Sequence, residues 1–151
     1  MGVIVVGVDY SDEAKAALRF ALEEAKLRQA KLRVVHAWQY GYIGTSGLEG
    51  SLAGLGGDIK EFRDAAETGL DTTLRESVPE TNTVEIERRV VEGRPAATLI
   101  AESRGADLLV VGSRGHGGFA GLLLGSVSQQ CAQHATCPVV IVHGDDKEPV
   151  R

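Results

Sequence analysis

From Val110 the chain reads Val110-Val111-Gly112-Ser113-Arg114-Gly115-His116-Gly117-Gly118, and a few residues on Leu124-Gly125-Ser126-Val127-Ser128. Glycines, hydroxyls and one arginine in this spacing suit the binding of an anion rather than bond cleavage. Gly112 and Gly115 are expected to allow positive φ and a close backbone approach to a ligand. Gly125 lets the chain enter a helix beside that ligand, with Ser126 as its cap and Gln129 completing a capping box. The first N–H groups of a helix have no internal partners and sit at the positive end of its dipole, so they attract phosphate. Ser126 and Ser128 add hydroxyl donors. Each charge-assisted hydrogen bond contributes ~1.5–3 kcal/mol. A few of them, with packing of a base, reach micromolar affinity at about -8 kcal/mol. The turn is not a P-loop, because the Gly-Lys-Ser/Thr ending is missing. It is not the dinucleotide fingerprint either, because no G-x-G-x-x-G follows the first strand.

The elements that must position this turn follow from periodicity. Val3 to Val8 is a β-branched run fit for a strand buried on both faces. Ser11 reads as an N-cap, with Asp12 and Glu13 in the first helical turn and Ala14, Ala17, Leu18, Ala21, Leu22 and Ala25 at helical spacing. Leu32 to Ala37 is a second strand, and Ile59, Phe62, Ala66, Leu70 and Leu74 mark a second helix. Thr83 to Val91 alternates apolar with charged, as a half-exposed strand does. Pro95 suits the first turn of a third helix and Gly105 its stop. Leu108 to Val111, Ser126 to about Ala135, and Pro138 to Val142 supply strand, helix and strand. Five strands alternating with four helices imply an α/β fold, a parallel sheet with helices on both faces. Ligands in such sheets bind beyond the carboxyl ends of the strands, where strand order reverses.

The chain has 151 residues, 43% hydrophobic and 25% charged, with a formal net charge of -5. That size and composition fit one globular domain over 1–151, with 144–151 as a flexible tail. An acidic balance gives no electrostatic reason to expect nucleic acid or an anionic membrane as partner. The opening apolar run is too short for a signal peptide or a bilayer span, and Val6 breaks a myristoylation motif, so a cytoplasmic protein is expected. Two cysteines, Cys131 and Cys137, fit a reducing compartment and read as small buried apolar residues. Gln39 to Gly57 holds seven glycines and one charge, a composition for a covering lid or a plain connection.

The spacing Gly112-x2-Gly115-x9-Gly125-Ser126 is similar to the nucleotide motif of the universal stress protein family. So are Val6-Gly7-Val8-Asp9-x-Ser11, Val35-His36-Ala37, Gly93-Arg94-Pro95 and Cys137-Pro138-Val139-Val140-Ile141-Val142. The resemblance implies a Rossmann-like, adenine nucleotide alpha hydrolase-like sheet of order 3-2-1-4-5, and the subgroup that binds ATP. By that resemblance Gly7, Val8 and Asp9 end the first strand against the nucleoside, and Val8 and Ala37 line the adenine pocket largely through backbone groups. Val111, Gly112, Ser113, Arg114, Gly115 and His116 would wrap ribose and phosphates, and Gly125, Ser126, Val127 and Ser128 would hold the phosphate chain. One position departs: Tyr10 stands where the family most often has glycine, and its ring would pack against the base or narrow its pocket.

Catalytic equipment is sparse. Phosphoryl transfer wants a positioned water, a neutralising cation and a metal-holding carboxylate. Asp9 is the one obvious carboxylate near the turn, and no lysine lies in it. Slow or absent ATP hydrolysis is expected, with Mg²⁺ held mainly by the phosphates. His36 reads as packing or capping, Trp38 as core or pocket rim, and His134 and His143 lack partners at metal-ligand spacing. With the order 3-2-1-4-5 the edge strands are the third, guarded by Glu85, Glu87, Arg88 and Arg89, and the fifth, Val139 to Val142, which carries no charge. An uncharged edge invites pairing, so a homodimer through that strand is expected. The leading reading is a nucleotide-dependent regulator in the stress response. A weak ATPase or nucleotide-dependent transferase on the same fold is the alternative. A phospho-receiver is set aside because the third strand ends Arg89-Val90-Val91 without an aspartate, and a flavin carrier would show colour.

Overall fold

The computed structural model describes residues 2–39, 59–113 and 124–144. The elements run β1 (Val3–Gly7), α1 (Asp12–Arg28), β2 (Lys31–Trp38), α2 (Ile59–Ser77), β3 (Ile86–Glu92), α3 (Pro95–Glu102), β4 (Leu108–Gly112), α4 (Ser126–His134) and β5 (Val139–Val142). All strand pairs are parallel, in the order β3-β2-β1-β4-β5. This is the doubly wound order, and the strand sequence reverses between β1 and β4.

Alternation within the buried strands sorts side chains to two faces. Ile4, Val6, Leu32, Val34, Leu108 and Val110 meet α1 and α2 through Leu18, Leu22 and Leu70. Val5, Val35, Leu109 and Val111 meet α3 and α4 through Leu99 and Cys131. Beyond the first core, Trp38 packs with Phe62 and Ala66 of α2, so the tryptophan is core. Cys131 is buried there and Cys137 half-buried, both as thiols; burial pushes the Cys131 thiol up to about 11, with Cys137 adding to the shift.

Local chemistry sets the boundaries. Ser11 caps α1 by accepting the Ala14 N–H at 3.1 Å, and α1 ends on Gln29 in the left-handed region. β3 begins three residues later than the alternation suggests, because the Asn82 side chain takes both the N–H and the C=O of Val84. An Asx-type bond thus competes with the ladder. α3 ends at Glu102 and Gly105 follows with φ 78°. Among the described residues no helix is long and apolar enough to cross a membrane. The Gln39–Gly57 stretch apart from Gln39, the tail beyond Gly144, and Arg114, Gly115 and His116 lie outside the described residues.

The two edges differ in their surroundings. On β3, Arg88 pairs with Glu67 and Asp71 of α2 at 2.9 and 3.0 Å, and Arg89 grips both carboxylate oxygens of Glu102 on α3 at 2.8 and 3.1 Å. β5 presents four half-buried aliphatic residues. The hydrogen bond from Arg89 holds the Glu102 carboxyl below its ordinary range. A lowered folded value means the contribution is present above the unfolded value and is lost as pH falls through the folded one. Glu102→Gln is therefore expected to cost at most about 1 kcal/mol near neutrality and nothing at acid pH, read by urea unfolding at both. An equal cost at both would assign the loss to packing.

Candidate functional site

The carboxyl ends of three strands come level at the reversal point. The register Val6↔Val110 sets Val8 beside Gly112, and Val6↔Val34 sets Asp9 beside Ala37. Val8 donates its N–H to the Val35 carbonyl at 2.9 Å. In a strand, alternate residues direct their peptide groups to the same neighbour. Ala37, two beyond Val35, therefore turns its N–H and C=O toward the β1 side, past the last β1–β2 pair at Gly7↔Val35. A hydrogen-bonding backbone edge thus faces the crevice.

The end of β4 is tied to the start of α4 by one carbonyl. Ser113 donates its N–H to Val142 at 2.8 Å, and its own C=O accepts from the Gly125 N–H at 2.7 Å and from the Ser128 hydroxyl at 2.9 Å. The Ser128 hydroxyl also reaches the Gly125 carbonyl at 3.0 Å. This clamp ties Ser113 to Gly125 and Ser128. It places the α4 N-terminus beside the end of β4. The first intrahelical bond of α4 is Gln129 N–H to Gly125 O. The N–H groups of Ser126, Val127 and Ser128 therefore have no helical acceptor. Ser126 is exposed, and the Ser113 hydroxyl, fully buried, has no partner among the described residues.

Three expectations about this turn change. The helix cap is Gly125, at φ -76° and ψ 169°, and Ser126 is the first helical residue, so no capping box forms. The pull of Ser113 on the Gly125 N–H turns the chain one residue early. The Ser128 hydroxyl has a single proton, directed at carbonyls inside the protein, so Ser128 offers a ligand its backbone and not its side chain. Gly112 does not use positive φ, which among the described glycines belongs to Gly105. Its missing Cβ makes room instead for α1: a Cβ there would lie 2.9 Å from Glu13 Cβ and 3.0 Å from the Glu13 backbone carbon.

Asp9 is placed at the site and also builds it. Its Oδ1 accepts from the Ser11 hydroxyl at 2.6 Å and the Ser11 N–H at 3.1 Å, so it braces the cap of α1. Gly7 is packed closely by Leu99, whose Cδ1 would be 2.6 Å from a Cβ. Val8 is fully engaged by the protein: besides the N–H bond to Val35, its C=O lies 2.9 Å from His36 Nδ1. A carbonyl only accepts, so that nitrogen carries the proton. In the neutral ring Nε2 then accepts from the Tyr10 hydroxyl at 3.1 Å. The expected reading of adenine through backbone groups thus falls on Ala37 more than on Val8. Tyr10 has φ 70°, a left-handed conformation that costs a side-chain-bearing residue roughly 1–2 kcal/mol. Its ring lies 4.7 Å from the His36 ring, and its hydroxyl would be 2.3 Å from a Cβ at Gly69. Gly69 was not singled out in the sequence. The signal was there, a lone glycine inside an amphipathic helix, where it costs ~1 kcal/mol against alanine. Glu13, which seats α1 against Gly112, left no such sign.

A reversal-point crevice with a helix N-terminus held against it defines a doubly wound α/β protein. The chain belongs to the universal stress protein family, whose model matches residues 1–143. It is 36% identical over 142 residues to a universal stress protein of Mycolicibacterium smegmatis and 35% over 144 residues to YxiE of Bacillus subtilis, covering 92% of this chain in each case. It spans 45% of the mycobacterial relative and 97% of the Bacillus one. Among solved structures, UspA of Lactobacillus plantarum superposes with a TM-score of 0.74 at 25% identity, covering 93% of this chain and 97% of that one. A universal stress protein in complex with cAMP gives 0.61 at 29%, covering 95% and 98%. One from Archaeoglobus fulgidus in complex with dAMP gives 0.59 at 26%, covering 94% and 98%.

The clamp predicts an ordering of effects. Ser128→Ala removes one of the two donors to the Ser113 carbonyl, Gly125 N–H remaining, and is expected to destabilise by about 0.5–1.5 kcal/mol. Gly112→Ala meets helix backbone that cannot step aside and should cost about 1–3 kcal/mol. Ser126→Ala, on an exposed residue, should stay within about 0.5 kcal/mol. Denaturant unfolding of the three variants checks this, and a Ser126→Ala loss equal to that of Ser128→Ala would contradict it.

Proposed function

We propose that this chain binds ATP in the β1–β4 crevice and acts as a nucleotide-dependent regulator in the stress response. The observation that carries the reading is the set of three adjacent N–H groups, Ser126 to Ser128, without helical acceptors and held by the Ser113 clamp beside the strand ends. Aligned donors at a helix start suit a phosphate chain. The exposed Ser126 hydroxyl is a further donor in the same turn. The Ala37 backbone edge offers a donor beside an acceptor, which complements the edge of adenine. The solved relatives in complex with cAMP and dAMP point to the same ligand class.

In this reading Gly7, Val8, Asp9 and Ala37 hold the nucleoside end, and Val111, Gly112, Ser113, Arg114, Gly115 and His116 wrap ribose and phosphates. Gly125, Ser126, Val127 and Ser128 take the phosphate chain, chiefly through backbone N–H. Mg²⁺ travels with the phosphates, since Asp9 already braces Ser11. Hydrolysis is slow or absent in this reading, because Asp9 is the one obvious carboxylate near the turn and the sequence puts no lysine in the phosphate loop. The chain pairs with a second copy through the uncharged β5 edge. It works in the cytoplasm, where two free thiols are at home.

Denaturing the purified protein and identifying released nucleotide by mass spectrometry tests the reading. Near-stoichiometric ATP is expected, and a folded Gly115→Ala/Ser126→Ala variant should carry none. No nucleotide bound or taken up on titration would reduce the turn to a structural one, and released ADP would favour an ATPase. Sedimentation at micromolar concentration should give a dimer. A monomer would refute the β5 pairing and leave the nucleotide reading standing.

A further inference from the structure

Tyr10 departs from the glycine the family most often has, and the sequence leaves open whether its ring packs against the base or narrows the pocket. Its backbone occupies a conformation that glycine holds without strain, so the turn between β1 and α1 does not need a tyrosine. The structure nevertheless accommodates the ring on two sides. His36, next in sequence to Ala37, lies against it at 4.7 Å and takes its hydroxyl at 3.1 Å. Helix α2 gives up a side chain at Gly69, where a Cβ would be 2.3 Å from the phenol oxygen and 2.6 Å from the ring carbon bearing it. Two neighbouring elements are thus shaped to one aromatic side chain at the mouth of the crevice.

Position makes the consequence specific. Even-numbered residues of β2 face α2, as Leu32 and Val34 do, so His36 and the Tyr10 ring lie on that side of the strand end. Ala37 turns its peptide edge to the crevice just beside them. Adenine read by an N–H and a C=O presents N1 and the exocyclic N6 amine to that edge. A group attached at N6 would then project toward the braced ring. We propose that Tyr10, held by His36 and Gly69, is a specificity-determining residue that closes the α2 side of the base pocket, admitting adenine and excluding adenine enlarged at N6. The inference rests on the adenine-nucleotide reading above.

The test is calorimetric titration of the full chain with ATP and with N6-benzyl-ATP. The parent should prefer ATP by at least about tenfold, in the range a pocket wall confers on bulk. Tyr10→Phe keeps the bulk and should keep the preference. Tyr10→Gly should lower it to below about threefold, chiefly by admitting the larger ligand. Gly69→Ala supplies an independent probe if Tyr10→Gly fails to fold. Its Cβ drives the phenol out of its notch toward the base, and ATP itself should bind at least about tenfold more weakly. An unchanged preference in folded Tyr10→Gly, or unchanged ATP affinity in Gly69→Ala, overturns the inference while parental ATP binding leaves the nucleotide reading intact. A parent that binds no ATP removes that reading and this inference with it.

Discussion

The Ser113 carbonyl is the point on which the crevice depends. It accepts from Gly125 N–H and Ser128 Oγ while its own N–H holds the end of β5 at Val142. The backbone of one residue therefore joins β4, β5 and α4. Without it the α4 N-terminus would lose its hydrogen bonds to the end of β4. A dipole acts within about one helical turn, so this placement decides whether the helix start can serve as an anion site.

The other side of the crevice is built on the same plan, with polar groups of the turn engaged by the protein before any ligand arrives. Asp9 braces Ser11, Ser11 caps α1, and α1 comes close enough to β4 for Glu13 to exclude a side chain at Gly112. Val8 is bonded on both its N–H and its C=O. Among the described residues, the groups left to face the crevice are chiefly backbone, the Ala37 edge and the first three N–H groups of α4, with the exposed Ser126 hydroxyl beside them. A site made of peptide groups on rigid elements is preorganised before a ligand arrives.

Much of this was legible in the sequence. The periods of Val3–Val8 and Leu108–Val111, the Ser11 cap and the Pro95 start are local signals, and each reappears at its expected place. The glycine-serine pattern marked the connection from β4 to α4 as the candidate turn, and the strand and helix that flank it are where it put them. Roles within the turn were less legible, because Ser126 and Ser128 look alike as letters and differ only in which way the helix faces them. Gly112 likewise reads as a positive-φ position until α1 is seen against it. The Tyr10–His36–Gly69 contact joins residues 26 and 59 positions apart from Tyr10 in sequence, and no local pattern encodes such a meeting.

The central claim is that nucleotide phosphates rest on the clamped start of α4. Backbone amide NMR during titration with ATP, and separately with adenosine, tests it most directly. The account predicts that both ligands shift the Ala37 amide and that only ATP strongly shifts Ser126, Val127 and Ser128. Shifts from ATP that spare those three amides, or that adenosine reproduces there in full, would contradict it.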